Sequence, residues 1–316
     1  MDALAGLLAG PRARGAFLIR SVLTPPWAIR VEDRAPLTLI TPVRGTAWVL
    51  PDHGAPVRLA AGDVAIARGP DAYVLADTPT TPPRAVIHPD QSSSTPAGDG
   101  LCETMALGTR TWGDATDGPD VLLSGTYQLR GEVSRGLLEA LPPLLVVTAD
   151  SWHSPLIDLL GEEIGKDLPG QDAVLDRLLD LLLIATLRTW LARPESDAPA
   201  WYRAHTDPLV GHALRLLHGD LAHPWTVAGL AAEVGVSRAA LARRFAELVG
   251  EPPMSYLTGR RLALAADLLH DPAATLGSVA HRVGYGSPFA LSTAFKRVRG
   301  VSPQEHRSAG PVAAGG

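Results

Sequence analysis

Two patterns of hydrophobic and polar residues divide the chain. From residue 15 to 150, short apolar runs at 37–40, 46–50 and 63–67 alternate with turn signals rich in Gly, Pro and Asp. Short strands at intervals of roughly 8 to 12 residues are typical of an all-β sandwich or barrel. The segment 89–100 contains four Ser or Thr residues in succession, which predicts a flexible loop.

Helical periodicity begins at Ser154. Ser154 and Pro155 form an N-cap and first-turn pair, and apolar residues then recur at helical spacing as far as Ile164. A second helix is predicted from about Asp172 to Ala192, with leucines on most of its sides. That apolar face is wider than one sheet needs, so it either forms a subunit interface, which we favour, or is buried within its own chain. Residues 194–199 indicate a linker.

The last hundred residues contain an internal repeat. The segment 226–237 aligns with 275–287, which has one extra residue, Gly286. Each copy predicts a helix-turn-helix in which a glycine permits the turn, a serine caps the second helix and apolar residues pack it back. The matched pairs are Gly235/Gly284, Ser237/Ser287, Leu241/Leu291, Phe245/Phe295, Gly250/Gly300 and Pro253/Pro303. The remaining face of the second helix is basic, which favours a recognition helix for a DNA major groove.

A further helix, predicted from Met254 to His270, joins the two copies. At 1.5 Å per residue it spans roughly 26 Å. The packing of each unit beyond the ends of this helix adds several ångströms more. Two recognition helices held there would lie about one DNA turn, roughly 34 Å, apart. One polypeptide would then read two successive major-groove segments.

Composition and charge are consistent with a multidomain globular protein. The chain has 316 residues, 46% of them hydrophobic and 19% charged, and a net charge of −5, and single cores usually stop growing near about 250 to 300 residues. Residues 207–307 hold 11 basic and 8 acidic side chains, whereas the rest of the chain holds 17 and 25. This asymmetry suggests that only the C-terminal end meets a polyanion.

Several protein classes are excluded or disfavoured by simple counts. One cysteine excludes an intramolecular disulfide framework. The segment 1–10 lacks a basic leading region, and charged residues interrupt the apolar stretch 175–191, so neither a secretory signal nor a membrane span is predicted. We therefore expect a soluble cytoplasmic protein without membrane contact.

Four C-terminal segments carry a family signature. They are Ala-Ala-Glu-Val-Gly-Val-Ser at 231–237, Arg-Arg-Leu-Ala-Leu-Ala-Ala-Asp-Leu-Leu at 260–269, Val-Gly-Tyr-Gly-Ser-Pro-Phe at 283–289 and Phe-Lys-Arg-Val-Arg-Gly-Val-Ser-Pro-Gln-Glu-His-Arg at 295–307. Through these segments, residues 207–307 resemble the DNA-binding domain of the AraC/XylS family of transcription regulators. The resemblance implies double-stranded promoter or operator DNA and RNA polymerase as partners, with activation as the default and repression as the alternative.

The resemblance also implies the DNA-reading positions. They are Arg238, Ala239, Ala242 and Arg243 in the first recognition helix and Pro288, Phe289, Ala290, Ser292 and Thr293 in the second. We add Arg244, Ser287, Lys296 and Arg297 from the basic and capping patterns. Arg243 is suited to a bidentate contact with guanine, whereas Lys296 and Arg297 are expected to hold phosphates. Because Thr293 stands where many relatives have arginine, the first copy should supply most discrimination. The alternative is a basic face that is merely solvated.

The N-terminal half resembles the cupin-type regulatory domain of one branch of the same family, through segments 45–50, 57–67, 73–77 and 137–145. A cupin is a small β-barrel whose open mouth can hold a ligand. Candidate pocket residues are Trp48, His53, Tyr73, His88, Cys102 and Trp112. Counting along the two cupin metal motifs gives Pro51 and His53 in the first and Tyr73 in place of the final histidine of the second, so we expect no metal and no cofactor.

Cys102 has two interpretations. Relatives in this branch that sense oxidants suggest a redox-sensing thiol, but the flanking Asp99 and Glu103 disfavour a reactive thiolate. We favour a structural cysteine, and a small organic molecule as the unidentified effector, although a redox signal stays open.

The predicted fold class is α+β multidomain, with four parts. These are a cupin-like β-barrel at 1–150, a helical linker and dimerisation segment at 151–200, an all-α tandem helix-turn-helix domain at 201–310 with units at 226–249 and 275–298, and a flexible tail at 311–316. The predicted function is a sequence-specific DNA-binding transcription regulator that is not an enzyme and dimerises through helices in 154–193. A cupin metalloenzyme with a helical appendage and a purely structural dimerising protein are the alternatives.

Overall fold

A computed structural model describes residues 17–127, 135–152, 154–193, 200–271 and 273–308. They form two compact units, one of 17–127 with 141–193 and one of 135–140 with 200–308. The predicted linker 194–199 and tail 311–316, and the segment 1–10, lie outside the described residues. The predicted succession of a β-rich N-terminal part and an all-α C-terminal part is confirmed.

The described strands belong to two sheets. They are β1 Phe17–Leu23, β2 Ala28–Val31, β3 Leu37–Arg44, β4 Thr46–Pro51, β5 Val57–Ala60, β6 Val64–Arg68, β7 Tyr73–Ala76, β8 Ala85–Ile87, β9 Ser93–Ser94, β10 Ala106–Gly108, β11 Thr111–Gly113, β12 Asp120–Tyr127 and β13 Leu144–Val147. The first sheet has the order β10-β11-β1-β12-β3-β6-β13 and the second β5-β4-β7-β2-β8-β9. The apolar runs predicted at 37–40, 46–50 and 63–67 are confirmed as β3, β4 and β6.

The predicted barrel is corrected to two open sheets, since neither sheet closes on itself among the described strands. Closure requires the edge strands to pair, but the edges β9 and β10 are only two and three residues long. At the edge strand β13, the Val146 carbonyl accepts a hydrogen bond from Arg193 Nη1 at 3.0 Å. The buried core lies between the sheets, where side chains such as Ile40 and Leu122 of the first meet Ile29 and Val49 of the second.

The segment 89–100, predicted as a loop, contains a turn and a short strand. Asp90 Oδ1 accepts a hydrogen bond from the Ser92 backbone at 3.0 Å, and Gln91 between them has a positive φ of 63°. This turn reverses the chain, so that Ser93 and Ser94 pair with β8 as the short strand β9.

Helices α1 Arg135–Ala140, α2 Pro155–Glu163 and α3 Gln171–Leu191 follow. The predicted cap is confirmed, since Ser154 Oγ accepts from the Leu156 backbone at 3.4 Å. Helix α3 packs on β12, where a side chain at Gly125 would lie 2.4 Å from Leu179 Cδ1, and Tyr127 donates to Asp180 Oδ1 at 3.0 Å. Six of the seven leucines on which the predicted subunit interface rests are therefore buried within the chain, whereas Leu181 is 50% exposed. The buried ones are Leu175, Leu178, Leu179, Leu182, Leu183 and Leu187.

The C-terminal unit contains α4 Ala200–Arg203, α5 Pro208–Gly219, α6 Val227–Glu233, α7 Arg238–Val249, α8 Pro253–Leu268, α9 Leu276–Arg282, α10 Pro288–Arg299 and α11 Pro303–Ser308. It has two apolar cores. Helix α8 contributes Tyr256 and Leu257 to the first and Leu262 and Ala265 to the second. The predicted helix between the repeats is thus confirmed as a rod whose two halves support one helix-turn-helix each.

Candidate nucleic-acid interface and ligand cavity

The two helix-turn-helix copies, α6–α7 and α9–α10, begin their helices in the same way. Ser237 Oγ accepts from the Ala240 backbone and Ser287 Oγ from the Ala290 backbone, both at 3.2 Å. The first helix of each copy is capped by a threonine, Thr226 or Thr275. A side-chain cap fixes where a helix starts, so the predicted serine caps are confirmed and the two recognition helices begin at equivalent positions.

The predicted turn glycines are also confirmed, with an important difference between them. Gly235 and Gly284 have φ of 75° and 78°, a region that L-residues with side chains disfavour. Around Gly235 the space for a side chain is open, whereas a Cβ at Gly284 would lie 2.6 Å from the Ala222 carbonyl oxygen. The turn of the second copy therefore packs tightly against the loop that precedes the first copy.

Arg261 of α8 holds that loop in place. Its Nε and Nη2 donate to the backbone carbonyls of Leu221 and His223, each at 2.6 Å. Charge-assisted bonds of this length are among the stronger ones in proteins. Together with the close approach at Gly284, they fix one helix-turn-helix copy relative to the other.

The predicted DNA-reading side chains lie on the outer faces of α7 and α10. Exposed are Arg238, Ala239, Arg243, Arg244, Ser287, Pro288, Phe289, Ala290, Thr293, Lys296 and Arg297, while Ala242 and Ser292 are half-buried. The opposite faces hold Leu241, Phe245, Leu291 and Phe295, all fully buried. Phe289 is 81% exposed, an unusual environment for a large apolar side chain.

Arg243 and Arg244 have different surroundings. Among the described residues, the ion-pair partner of Arg243 is Glu247 of the next turn, at 3.7 Å between Nε and Oε1. Arg244 donates from Nε at 3.2 Å and from Nη2 at 2.8 Å to Asp207 Oδ2. Arg244 is thus bound to the start of α5, whereas the Arg243 side chain is 78% exposed.

Asp207 is a residue that the sequence interpretation did not assign to the site. Its Oδ1 caps α5 by accepting from the Leu209 and Val210 backbones at 3.1 and 2.9 Å. The Val210 hydrogen bond and the Arg244 guanidinium hold the pKa of Asp207 below its usual value. The Asp207-Pro208 pair is a readable cap signal, but its arginine partner is set by tertiary structure.

A second candidate site is a cavity of about 320 Å³ between the two sheets. Alternate residues of β1, β2, β7 and β12 face it, as the two-residue period of a strand requires. Of the predicted pocket residues, Tyr73, Cys102 and Trp112 line it. It is also lined by Asp33, Gln91 and Arg110, which lie outside the strands and had no sequence signal.

The other predicted pocket residues lie elsewhere. Trp48 alternates with the buried Ala47 and Val49 of β4 and lies on the opposite face of that strand. His53 lines a separate cavity of about 50 Å³. His88 Nε2 is 2.8 Å from Ser94 Oγ.

Cys102 lies beside the short strand β9. Cys102 is exposed, and its Sγ lies 3.3 Å from the Ser93 backbone nitrogen, which donates to it. No cluster of three or more His, Cys, Asp or Glu side chains suited to a metal occurs within the described ranges. In the same ranges, no helix is long and apolar enough to span a membrane.

Comparisons with known proteins agree with this arrangement. A cupin family profile matches residues 2–192, and a helix-turn-helix domain profile matches residues 230–309. An AraC-like transcription regulator of Streptomyces lividans is 34% identical over 97% of this chain and 98% of its own. The RCS-specific HTH-type transcriptional activator RclR of Escherichia coli K12 is 27% identical over 59% of this chain and 67% of its own. The solved DNA-binding domain of AdpA, in complex with a target DNA, is 36% identical, covers 33% of this chain and 93% of its own, and has a TM-score of 0.31.

Proposed function

Because the chain belongs to the AraC-like transcription regulators with an N-terminal cupin domain, we propose that α7 and α10 read the operator together. Membership of this family makes the chain a transcription regulator that binds double-stranded DNA through its helix-turn-helix domain. The observation that supports the joint reading is α8, whose two halves each enter one core. Its 16 residues extend about 24 Å, so the recognition helices packed at its ends suit two successive major-groove segments.

In this proposal, the two recognition helices have different roles. Arg243, which is exposed and pairs with Glu247 within the described ranges, makes a bidentate contact with guanine, and Arg238 assists it. Ala239 and Ala242 offer only methyl contacts. In α10, Lys296 and Arg297 hold phosphates, while Phe289 packs on a thymine methyl or a sugar with Ser287, Pro288, Ala290, Ser292 and Thr293 around it. Arg244 supports α7 through Asp207.

We also place a dimer interface on α2 and α3. Most leucines of α3 are buried, but three apolar side chains remain about half exposed, namely Leu159 of α2 and Val174 and Leu181 of α3. Association of two copies through these residues would present two DNA-binding units to a repeated site and raise affinity through effective concentration.

The remaining assignments follow from the family and the cavity. The cupin unit senses a small effector in the 320 Å³ cavity, with a redox signal at Cys102 as the alternative, and no reaction is catalysed. RclR is an activator by name, so we assign activation through RNA polymerase, in the cytoplasm where bacterial promoters are accessible.

The roles of the two helices are tested by a pair of substitutions. Arg243→Ala is expected to cost about 1–3 kcal/mol on the operator and to relax one base position. Lys296→Ala is expected to weaken all duplexes alike and to lower the slope of log affinity against log salt by about one. Fluorescence anisotropy on the operator, on single-base variants and on random duplex at several salt concentrations measures both. An equal loss on every duplex for Arg243→Ala would contradict base reading.

A further inference from the structure

The cavity between the sheets is apolar over most of its wall and contains three aromatic rings. Ile29, Val31 and Leu75 come from the second sheet, and the rings are those of Phe17, Tyr73 and Trp112. Its volume of about 320 Å³ lies at the lower end of the roughly 300–1,000 Å³ typical of small-molecule pockets. The cavity therefore suits a compact molecule with an apolar skeleton.

Two charged side chains line this cavity, Asp33 and Arg110. The positive charge of Arg110 is compensated within the protein. Its guanidinium forms an ion pair with Asp172, and Nη1 lies 3.3 Å from Gln171 Oε1. Both partners belong to α3, on the side of the first sheet away from the second. The positive charge at the wall thus has a protein counter-ion and little capacity left for a ligand.

Asp33 has the opposite environment. Its Oδ1 accepts from the Ala35 backbone at 3.1 Å, and the Gln91 amide is a second hydrogen-bond partner. Within the described part of the chain, the ion pairs do not include Asp33. Burial raises the pKa of Asp33, and Asp33 together with burial raises the pKa of Tyr73. Asp33 is therefore a partly desolvated carboxylate beside aromatic rings, with no ion-pair partner among the described residues.

Aromatic faces and a carboxylate are the two groups that recognise organic ammonium ions. We propose that the cavity binds a small organic cation, whose nitrogen pairs with the Asp33 carboxylate while its apolar skeleton lies between the sheets against Phe17, Tyr73 and Trp112. This inference rests on the proposed function in one respect, namely that the cavity is the sensory site of the regulator. It adds the charge and class of the effector.

Three probes with one skeleton and different charges test the proposal on the full chain. They are 3-phenylpropylamine, 3-phenylpropan-1-ol and 3-phenylpropionate, titrated by isothermal calorimetry near neutral pH. We expect the amine to bind about tenfold more tightly than the alcohol, equivalent to roughly 1.4 kcal/mol, and the acid to bind most weakly. The proposal is overturned if the acid binds best, if amine and alcohol bind equally, or if none of the three binds with a Kd below about 1 mM.

A substitution at Asp33 tests whether this carboxylate, and not the overall charge of the protein, causes the preference for the amine. Asp33→Asn keeps the shape and is expected to make amine and alcohol equivalent, whereas Asp71→Asn, at an exposed position outside this cavity, should keep the amine preference. If Asp33→Asn does not fold, the wild-type chain still decides the question, because protonation of Asp33 at lower pH should weaken amine binding and leave alcohol binding unchanged. A preference that survives both changes contradicts the assignment.

Failure of this inference is distinguishable from failure of the proposed function. Binding of the operator duplex is measured on the same preparations without any probe. Operator binding without amine selectivity overturns only the effector class. Amine selectivity without sequence-specific duplex binding overturns the proposed joint reading of DNA and leaves the cavity assignment intact.

Discussion

Asp267 shows how one buried carboxyl in α8 makes stability depend on pH. Burial raises its pKa from 3.8 to about 6, while the charges of Arg299 and Arg260 oppose this rise. A carboxyl whose pKa is higher in the folded than in the unfolded state retains its proton more readily when folded. The contribution to stability is therefore complete below about pH 4 and is lost as the pH rises towards 6.

Asp267→Asn should consequently stabilise the protein at neutral pH. We expect a gain on the order of 1–2 kcal/mol at pH 7.5, discounted from the full shift because the residue is partly exposed, and almost no gain near pH 4. Thermal unfolding of wild type and variant across this range measures the difference. Glu233→Gln, at an exposed position, is the control, and a gain that is the same at both pH values would contradict the account.

Two neighbouring arginines in α7 differ in a way that the sequence does not predict. Arg243 and Arg244 are adjacent residues of the same type in a recognition helix, and the sequence predicts both as DNA contacts. Their difference comes from Asp207, 37 residues away along the chain. Asp33 and Arg110 are a similar case, because the chemistry of each depends on which side chains the fold places beside it.

At the scale of elements, the two turn glycines provide a matched comparison. Gly235→Ala introduces only backbone strain at φ of 75°, worth about 1–2 kcal/mol. Gly284→Ala adds a contact of 2.6 Å with the Ala222 carbonyl and should cost at least about 1 kcal/mol more. Thermal unfolding monitored at the helical signal compares the two variants. Greater loss from Gly235→Ala would contradict the close packing of the second copy on the loop.

The proposed interface on α2 and α3 is tested by Leu181→Lys. Leu181 is 50% exposed, so the substitution should leave the fold intact while it weakens a dimer by about tenfold or more, since a charge would be buried without a partner. Sedimentation equilibrium over a range of concentrations measures this. Val301→Lys, 41% exposed in the other unit, should not alter the oligomeric state. Unchanged association of the Leu181 variant would exclude this face as the interface.

Over the whole molecule, features that depend on neighbouring residues could be predicted from the sequence, whereas contacts between residues far apart in the sequence could not. Glycines in turns and serine caps act within a few residues, so the duplicated helix-turn-helix and the strands at 37–40, 46–50 and 63–67 are readable from sequence. The sheets stay open because their edge strands are too short to pair. The formation of β9 depends on the turn in which the Ser92 backbone donates to Asp90. The wide apolar face of α3 matches a groove at Gly125, which only the folded sheet reveals.

In the proposed joint reading, one chain contacts two successive major-groove segments through α7 and α10. Selection of operators from random duplex, followed by hydroxyl-radical footprinting of the full chain, tests this arrangement. The proposed joint reading predicts two protected segments per DNA-binding unit, about 10 to 10.5 base pairs apart on one face of the duplex. The stronger sequence preference is expected in the α7 segment, where Arg243→Ala should relax one base position. A single protected segment per unit, or protection without any sequence preference, would contradict it.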